Sequence, residues 1–337
     1  MADQMHGFGL GVISENAKGA ILDVFYPTPL GDVTGPLSDA LSGVFGRLDR
    51  SDLKTLANNA RSAGDEALAA LADRLSKSPV SVVASSLAAN VAPVSVEDAY
   101  LKLHMLSHRL VKPHGTDLTG VFGLLPNVAW TDEGPIDLSE LAERQLSARL
   151  KGKVLEVASV DKFPKMTNYV VPEGVRIAHS ARVRLGAYLG AGTTVMHEGF
   201  INFNAGTAGP GMVEGRISAG VMVGKGSDLG GGCSTMGTLS GGGNMIISVG
   251  EECLIGANAG LGIPLGDRCT VEAGLFITAG TKVTVLDDAK QAVETTAARY
   301  LAGRSDLLFR RNSQLGSVEC LTNKTAIELN ESLHAHN

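Results

Sequence analysis

The C-terminal half of the chain carries aliphatic side chains at an interval of six residues. The interval begins near residue 171 and continues to residue 283, with a shift of phase after residue 213. Its members are Val171, Ile177, Val183, Leu189, Val195, Ile201, Val213, Ile217, Val223, Leu229, Val249, Ile255, Leu265, Val271, Ile277 and Val283. A period of six fits neither a helix nor a plain alternating strand. It is typical of a parallel β-helix, in which stacked coils bury columns of aliphatic side chains.

The units of this repeat share small residues at fixed places, as in LGAGTT, VGKGSD and LGGGCS. Small side chains suit tight corners, and glycine permits the backbone turns there. A glycine-rich β-sandwich is the alternative, but it would not keep so many units in register. The register breaks at 205–212, 239–246 and 259–264, and we predict that loops leave the coil at these three places.

The remainder of the chain differs from the repeat. DLKTLANNARSAGDEALAALADRLSKS and VEDAYLKLHMLSHRL have apolar residues at helical spacing, which predicts a helical N-terminal domain over 1–115. An α/β connecting module is predicted over 116–168, with an amphipathic helix between Asp137 and Gly152. The β-helix follows over 169–285. A C-terminal helix, in QAVETTAARYLAG, and short strands are predicted for 286–337, so the fold class is mainly β with a helical or α+β N-terminal domain.

Charge and composition limit the classes of partner. The 337 residues carry a formal net charge of −6, whereas binding to nucleic acid requires a basic face. No stretch has the length and apolar character of a membrane span. The four cysteines form no C-x-x-C pair, which favours a reducing, cytoplasmic location.

One short segment, GPGMVEGRIS, places a carboxylate and a guanidinium two positions apart, at Glu214 and Arg216. On an extended strand such residues project from the same face. The pair is therefore either a surface ion pair or one edge of an active site. The glycine motifs GKGSDLG and GLGIPLG lack the context of a nucleotide loop and are interpreted as corners of the coil.

Two histidines of the repeat, His179 and His197, are 18 residues apart and would stack in successive coils. A zinc lyase on such a scaffold is an alternative, but catalytic zinc usually needs three protein ligands. The repeat supplies only these two, so a stacked surface pair is the favoured interpretation.

Several long segments resemble the tetrahydrodipicolinate N-succinyltransferase family, in its longer form. They are YLKLHMLSHRLVKPHG, LLPNVAWT, SVDKFPKMTNYVVP, VMHEGFINFNAGT, MVEGRISAGV, GGGCSTMGTLSGGGN, IGANAGLGIPLGD and LLFRRNS. The resemblance implies a homotrimer of left-handed β-helices with active sites between subunits. It also implies transfer of succinyl from succinyl-CoA to the amino group of ring-opened tetrahydrodipicolinate (L-2-amino-6-oxoheptanedioate), a step of diaminopimelate and lysine synthesis.

The resemblance also implies roles for individual residues. Glu214 matches the family's catalytic glutamate, and Arg216 matches a contact to succinyl-CoA. The further implied cofactor contacts are Gly231, Ser234, Ala257, Glu272, Ala273, Gly280, Arg310, Arg311, Asn312 and Ser313. We favour ligand contact for Arg310 and Arg311 because adjacent arginines repel unless an anion lies close to them.

Some members of the family bind Mg²⁺ near the trimer axis. The resemblance matches their glutamate ligand to Glu198, whereas Ala181 stands at the position of the upstream aspartate. Whether this chain binds a metal therefore stays open.

The chemistry of amide formation explains why a carboxylate is needed. The acceptor amine is protonated near neutral pH, so a base must remove a proton, and a partly desolvated carboxylate is the better base. Glu214 could instead accept succinyl as a mixed anhydride, and the sequence does not separate the two roles. An acetyl-CoA-dependent O- or N-acetyltransferase and a trimeric scaffold without catalysis are the alternative functions.

Overall fold

A computed structural model of the chain describes residues 4–237 and 245–322. The chain forms two compact units. Unit 1 comprises the residues up to Val111 together with Gly115–Pro164 and Asn168–Val170, and unit 2 comprises Lys112–His114, Lys165–Thr167 and the residues from Val171 onward. The domain boundaries predicted from the sequence lie instead after residues 115, 168 and 285.

Unit 1 alternates strands and helices. In chain order these are β1 (Met5–Glu15), β2 (Ile21–Phe25), β3 (Leu30–Val33), α1 (Gly35–Leu41), β4 (Gly46–Leu48), α2 (Arg50–Ser62), α3 (Glu66–Leu75), β5 (Val82–Leu87), α4 (Val96–Ser107), α5 (Val121–Leu124), β6 (Val128–Thr131), β7 (Gly134–Asp137), α6 (Leu138–Leu150) and β8 (Val157–Asp161). The first five strands form one sheet, and β7, β6 and β8 form a second.

The N-terminal domain predicted as helical or α+β over 1–115 is α+β, because a five-stranded sheet accompanies its helices. The strand pattern of β1, MHGFGLGVISE, was missed because glycine replaces every second side chain. Those glycines admit close neighbours. A Cβ at Gly7 would lie 2.6 Å from the sulfur of Met105, and one at Gly9 would lie 2.6 Å from the ring of Tyr26.

The helices predicted in unit 1 are confirmed. The first helical segment divides into α2 and α3, which begin after the capping residues Asp49 and Asp65. The helix predicted from Asp137 is α6, whose first turn is capped by that side chain. No helix within the described ranges is long and apolar enough to cross a membrane.

Unit 2 consists mainly of very short strands. They are β9 (Arg176–Ile177), β10 (Ala187–Leu189), β11 (Thr193–Val195), β12 (Phe200–Ile201), β13 (Ala205–Thr207), β14 (Gly211–Val213), β15 (Arg216–Ile217), β16 (Met222–Val223), β17 (Asp228–Leu229), β18 (Ser234–Thr235), β19 (Ser248–Val249), β20 (Leu254–Ile255), β21 (Gly260–Gly262), β22 (Thr270–Val271), β23 (Phe276–Thr278), β24 (Lys282–Leu286), β25 (Ala292–Ala297), β26 (Leu307–Arg311) and β27 (Val318–Thr322).

From β9 to β23 these strands wind into a parallel β-helix with three faces. The first face contains β10, β13, β16 and β19, the second contains β9, β11, β14, β17, β20 and β22, and the third contains β12, β15, β18, β21 and β23. Each strand pairs in parallel with a strand one coil further along the chain. The parallel β-helix predicted from the sequence is confirmed.

The aliphatic residues that recur every six positions point into the interior of this coil. On the second face, Val195, Val213 and Leu229 are in register, followed by Ile255 and Val271. All five are at most 1% exposed. The interval begins before the enclosed part of the coil, since Val171 is 63% exposed.

Two of the three predicted loops are wrong. Residues 205–212 contain β13 and the start of β14, and residues 259–264 contain β21. At 205–212 the spacing of six is kept, and the buried Thr207 takes the place of an aliphatic residue. At 259–264 the interval from Leu261 to Leu265 is four residues, so the phase shifts while the backbone continues along the coil. The third predicted loop, 239–246, lies mostly outside the described residues.

The C-terminal segment extends the second face. Strand β26 pairs in parallel with β22 and antiparallel with β27, and β24 pairs with β27 and β25. The predicted C-terminal helix is wrong, because its first half is β25 and a short 3₁₀ turn, Ala298–Leu301, follows. The β-branched residues Val293, Thr295 and Thr296 favour the strand over a helix.

Candidate active site

The residues implied by the resemblance lie mostly along one edge of the coil, which we call the second corner. It joins the second face to the third and comprises residues 196–199, 214–215, 230–233, 256–259 and 272–275. Backbone hydrogen bonds stack these turns, from Glu214 N to Leu229 O, from Gly230 N to Ile255 O and from Gly256 N to Val271 O, each 2.8 Å long. The second corner is therefore a continuous column parallel to the coil axis.

The turn that contains Glu214 is shorter than the turns above and below it. Only Glu214 and Gly215 separate β14 from β15, whereas four residues form the turn at 196–199 and again at 230–233. A shorter turn projects less far from the coil. Glu214 therefore lies in a notch between two larger turns, and this shortening is also the phase shift observed in the sequence after residue 213.

The sequence suggested that Glu214 and Arg216 are neighbours on one face of a strand, and this is wrong. Glu214 and Gly215 form the bend, so Glu214 follows the end of β14 on the second face while Arg216 opens β15 on the third. Glu214 is half-buried and Arg216 is exposed. Within the part of the chain that the structure describes, neither side chain forms an ion pair, so the surface ion pair that the sequence left open is absent.

The buried thiol of Cys233 lies beside both charges. Burial raises the pKa of Cys233 to about 12, Arg216 lowers that pKa, and Glu214 raises it. Cys233 is fully buried, and its Sγ would lie 2.3 Å from a Cβ at Gly215. The thiol therefore stays neutral and packs against the notch, and Glu214 is the acidic group there that solvent reaches.

Small residues line the second corner above Glu214. A Cβ at Gly231 would lie 3.4 Å from Glu214 Oε2, and Ala257 and Ala273 take the same place in the next two coils. Ser234 follows this turn in β18 and pairs with Arg216. In the described ranges, the backbone N–H groups of Gly215 and Gly231 donate to no acceptor. The result is a shallow groove that begins at a carboxylate and exposes unused donors.

Charged residues lie at the far end of this groove. Glu272 N donates to Phe309 O at 2.9 Å, which places Arg310 one coil beyond Glu272. The carboxylate of Glu272 accepts the backbone N–H of Arg311 at 2.7 Å, and Arg311 is exposed. Both arginines thus extend the same column, and the chain itself supplies anions close to them.

The sequence did not single out Glu319, which lies opposite Arg310 in the hairpin of β26 and β27. Its Oε2 accepts from Arg310 Nε and Nη2, at 3.0 and 2.9 Å, and its Oε1 accepts from Asn312 Nδ2 at 2.7 Å. No periodicity marks this residue because the hairpin lies beyond the repeat. An acidic residue in a strand after two adjacent arginines was the available signal.

Two of the implied contacts lie apart from this arrangement. Gly280 follows β23, on the corner after the third face, so this chain does not bring it beside Gly231 or Ala257. Ser313 is exposed in the turn that joins β26 to β27. Asn312, in the same turn, faces Glu319.

The proposed metal ligand Glu198 is already engaged. One carboxylate oxygen forms an ion pair with Arg182, and the other lies 2.8 Å from His197 Nδ1. The hydrogen bond from His197 and the positive charge of Arg182 lower the pKa of Glu198. With both oxygens occupied and Ala181 where the resemblance expects an aspartate, the residues of this chain do not fit a Mg²⁺ site.

The two histidines of the repeat stack as predicted. The ring centroids of His179 and His197 are 5.1 Å apart in an edge-to-face arrangement. Residues 4–237 and 245–322 contain no group of three histidine, cysteine or acidic side chains that could hold a metal ion.

A cavity of 280 Å³ lies at the other edge of the second face, among Gly174, Arg176, Gly192, Thr193, Thr194, Pro210, Gly211 and Met212. It contains none of the implied site residues. Most of the implied site residues instead line the open groove of the second corner, and a long flexible ligand can bind along such a surface without a closed pocket.

Two family models match the chain. A model of the tetrahydrodipicolinate N-succinyltransferase middle region matches residues 125–165. A model of the hexapeptide repeat of succinyl-transferase matches residues 246–279, which include two turns of the second corner.

Relatives match over the full length of the chain. The 2,3,4,5-tetrahydropyridine-2,6-dicarboxylate N-succinyltransferase of Pseudomonas aeruginosa is 63% identical and covers 100% of both chains. The enzyme of the same name from Vibrio cholerae is 58% identical over 98% of both. A crystal structure from Campylobacter jejuni, described as a 2,3,4,5-tetrahydropyridine-2-carboxylate N-succinyltransferase, superposes with a TM-score of 0.86 at 33% identity, covering 97% of this chain and 94% of the other. Because the similarity extends along the whole sequence, the chain belongs to the tetrahydrodipicolinate N-succinyltransferase family.

Proposed function

We propose that this protein transfers succinyl from succinyl-CoA to the amino group of ring-opened tetrahydrodipicolinate, L-2-amino-6-oxoheptanedioate, in diaminopimelate and lysine synthesis. Membership of the family supports the reaction. One observation carries the assignment to a site: Glu214 has no ion-pair partner among the described residues and lies in a notch at the start of a groove of small side chains.

Glu214 acts on the acceptor amine. Its carboxylate takes a proton from the ammonium group, the freed nitrogen attacks the thioester carbonyl, and a C–N bond forms. The tetrahedral intermediate then expels the CoA thiolate as the C–S bond breaks. The second proton of the amine passes to the departing thiolate, which leaves as the CoA thiol, and Glu214 returns its proton to solvent. A carboxylate held by a strong ion pair would be a poorer base, so the absence of such a pair suits this role.

Donors that could stabilise the tetrahedral oxyanion lie beside this carboxylate. The unused N–H groups of Gly215 and Gly231 flank Glu214, and backbone donors fixed in place stabilise developing negative charge effectively. Arg216 is available for a carboxylate or for the acyl donor. We propose Gly231, Ala257, Glu272, Ala273 and the segment from Arg310 as the surface along which succinyl-CoA binds.

The same geometry is compatible with Glu214 as a nucleophile. In that route the carboxylate attacks the thioester, the CoA thiolate leaves, and the amine then attacks the mixed anhydride. Rapid quenching of a single turnover separates the routes, because only the nucleophilic route adds the mass of a succinyl group to the peptide containing Glu214.

We also propose that the protein is a homotrimer of left-handed β-helices with active sites between subunits. A monomer leaves the groove open to solvent on one side, and a neighbouring subunit would supply the missing wall. Gly280 and Ser234 are proposed to contact the acyl donor in that assembly. A cytoplasmic location stays a prediction, supported by four free buried cysteines.

The experiment that tests this function measures thiol release by the purified protein with succinyl-CoA and a 2-aminopimelate-type acceptor. We expect turnover by the wild type and a loss of at least about 100-fold in kcat for Glu214→Gln, since general-base catalysis contributes about 10²–10⁴-fold. Glu252→Gln, an exposed change in unit 2 outside the second corner, is the control and should retain full activity.

Two results would change the assignment. Full activity of Glu214→Gln would remove this residue from the chemistry. Turnover with acetyl-CoA in place of succinyl-CoA would favour the alternative acetyltransferase. Native mass spectrometry of the same preparation tests the trimer, for which a mass three times that of the 34.9 kDa chain is expected.

A further inference from the structure

We infer that Glu319 is a positioning residue for the acyl donor: it holds Arg310 and Asn312 in the orientation in which they bind the nucleotide end of succinyl-CoA. The inference rests on the proposed function, and it assigns a role to a residue that the family resemblance left out. Four observations carry it: the burial of Glu319, the chemistry of its two partners, its charge, and its distance from Glu214.

Glu319 is a buried acid that connects the two strands of the terminal hairpin. It is 6% exposed, whereas its partner Arg310 is 36% exposed at the side chain. The guanidinium donates two hydrogen bonds to Oε2, so only part of its donor capacity is used. The remaining N–H groups are available to an anion that approaches from solvent.

Both partners of Glu319 are donors, which only a carboxylate satisfies. The amide of Asn312 has a fixed orientation, because its Oδ1 accepts the backbone N–H groups of Gln314 and Leu315, each at 3.0 Å. Its Nδ2 must therefore donate to Glu319 Oε1. A glutamine at 319 would have one acceptor and one donor end, so it would turn an N–H₂ group toward either Arg310 or Asn312.

The contribution of Glu319 is orientation and not attraction. The hydrogen bond from Asn312 and the charge of Arg310 lower the pKa of Glu319, so the residue is negatively charged at neutral pH. Its charge cancels that of Arg310 and on its own disfavours an anionic ligand. Glu319 therefore does not attract the ligand, and its role is to fix the orientation of Arg310 and Asn312. Donors that are already oriented lose less entropy when the ligand binds.

The position of Arg310 and Asn312 along the groove identifies which part of the acyl donor they contact. Going from Glu214 through Gly230, Gly256 and Glu272 to Arg310 takes four coil steps, or roughly 19 Å at the usual spacing of paired strands. The thioester must lie at Glu214. An extended pantetheine arm along the groove then brings the phosphates of CoA, and not the succinyl carboxylate, to Arg310 and Asn312.

The test uses full-length protein and CoA as the probe. For Glu319→Gln we expect the Kd for CoA and the KM for succinyl-CoA to rise by at least about tenfold. The kcat and the KM for the amine acceptor should stay within about twofold, because the lost contact is remote from the reacting atoms. Glu294→Gln, which removes an exposed charge from β25, is the matched control and should leave the Kd unchanged.

Two further variants separate positioning from a structural role. Glu319→Asp keeps both acceptors on a shorter arm, so it should restore part of the CoA affinity. If Glu319 acts through Arg310, the double variant Arg310→Ala with Glu319→Gln should bind CoA only slightly more weakly than Arg310→Ala alone. A role in folding would instead lower kcat and the melting temperature, without a selective effect on the KM for succinyl-CoA.

The outcomes are distinguishable. Wild-type protein that neither binds CoA nor uses succinyl-CoA would count against the proposed function as a whole. An active wild type together with unchanged CoA affinity in Glu319→Gln would overturn the inference about Glu319 alone. Loss of affinity for succinyl-CoA but not for CoA would also overturn it, because the anion at Arg310 would then be the succinyl carboxylate.

Discussion

Glu214 is set apart from the other acidic residues of unit 2 by its surroundings. Asp306 forms two hydrogen bonds with Arg268, and Glu319 and Glu272 accept hydrogen bonds as well. Glu214 is half-buried beside a neutral thiol and two glycines, and no cation is paired with it among the described residues.

The two glycines next to Glu214 allow function and stability to be separated. A methyl group at Gly231 would touch Glu214 Oε2 at 3.4 Å, an ordinary contact distance. We expect Gly231→Ala to fold normally but to lower kcat/KM by about tenfold or more, since small displacements of reacting groups cost up to about 100-fold. Steady-state kinetics and thermal melting measure the two effects.

Gly215→Ala is the contrasting variant. Its methyl group would lie 2.3 Å from Cys233 Sγ and 2.7 Å from Cys233 O, so the backbone must shift. Overpacking of this kind costs about 1–3 kcal/mol, and we expect a clear loss in the free energy of unfolding. Equal stability of the two variants would show that the turn at Gly215 is softer than this packing implies.

At the level of single residues, the family resemblance named Gly231, Ala257 and Ala273 together, but the sequence did not show that they stack. They are 26 and 16 residues apart, which a strict period of six would not place on one corner, and only the strand register brings them into one column. The relation of Arg310 to Glu319 could not be predicted either, because the hairpin pairs residues that no repeat connects. The bend at Gly215 was also missed, since a two-residue shortening shows in the sequence only as a shift of phase.

At the level of elements, the aliphatic columns hold the coil together. Leu189 of β10 is fully buried, while Val171 has the same place in the interval but is 63% exposed. We expect Leu189→Ala to lower the free energy of unfolding by about 2–5 kcal/mol and Val171→Ala to change it by less than about 0.5 kcal/mol. Denaturant titrations followed by circular dichroism measure both.

The variants Leu189→Ala and Val171→Ala test whether burial or position in the six-residue interval determines how much a side chain contributes to the free energy of unfolding. A large effect of Val171→Ala would mean that another subunit or segment covers this residue in solution. A small effect of Leu189→Ala would mean that the coil relaxes into the cavity, which the close packing of short parallel strands makes unfavourable.

The prediction of secondary structure failed for two strands, β1 and β25, in which the residue types do not show the alternation typical of a strand. In β1 glycine replaces the alternating side chains, because α4 and Tyr26 approach that strand closely. In β25 the alanines suggested a helix, but pairing with β24 gives the β-branched residues cross-strand partners, such as Thr295 opposite Thr284. In both strands, tertiary contacts decided the conformation over local propensity.

At the level of the whole molecule, unit 1 contains a feature that makes the chain sensitive to acid. His104 is fully buried, its Nε2 accepts from Tyr26 N, and its Nδ1 donates to Tyr100 O at 2.8 Å. Burial lowers the pKa of His104 to about 3. The unfolded chain takes up a proton below about pH 6.5 while the folded chain does not, so stability is full above pH 6.5 and is lost as the pH falls toward 3.

Trp130 provides the measurement, because it is the single tryptophan and lies buried in unit 1. Denaturant unfolding followed by its fluorescence should show that the wild type loses roughly 2 kcal/mol more than His104→Gln between pH 6.5 and pH 5. Parallel losses in the two proteins would mean that other groups account for the acid sensitivity.

The coil is also a unit of length. One added or removed turn would change the separation between Glu214 and Arg310 by roughly 4.8 Å while every inward column stayed in phase. The length of the groove can therefore change only in whole turns, and under the proposed function its present length matches a pantetheine arm. A relative that used a longer or shorter acyl donor would have to change its number of turns. Insertions of other lengths are restricted to the corners, where they leave the spacing between turns unchanged.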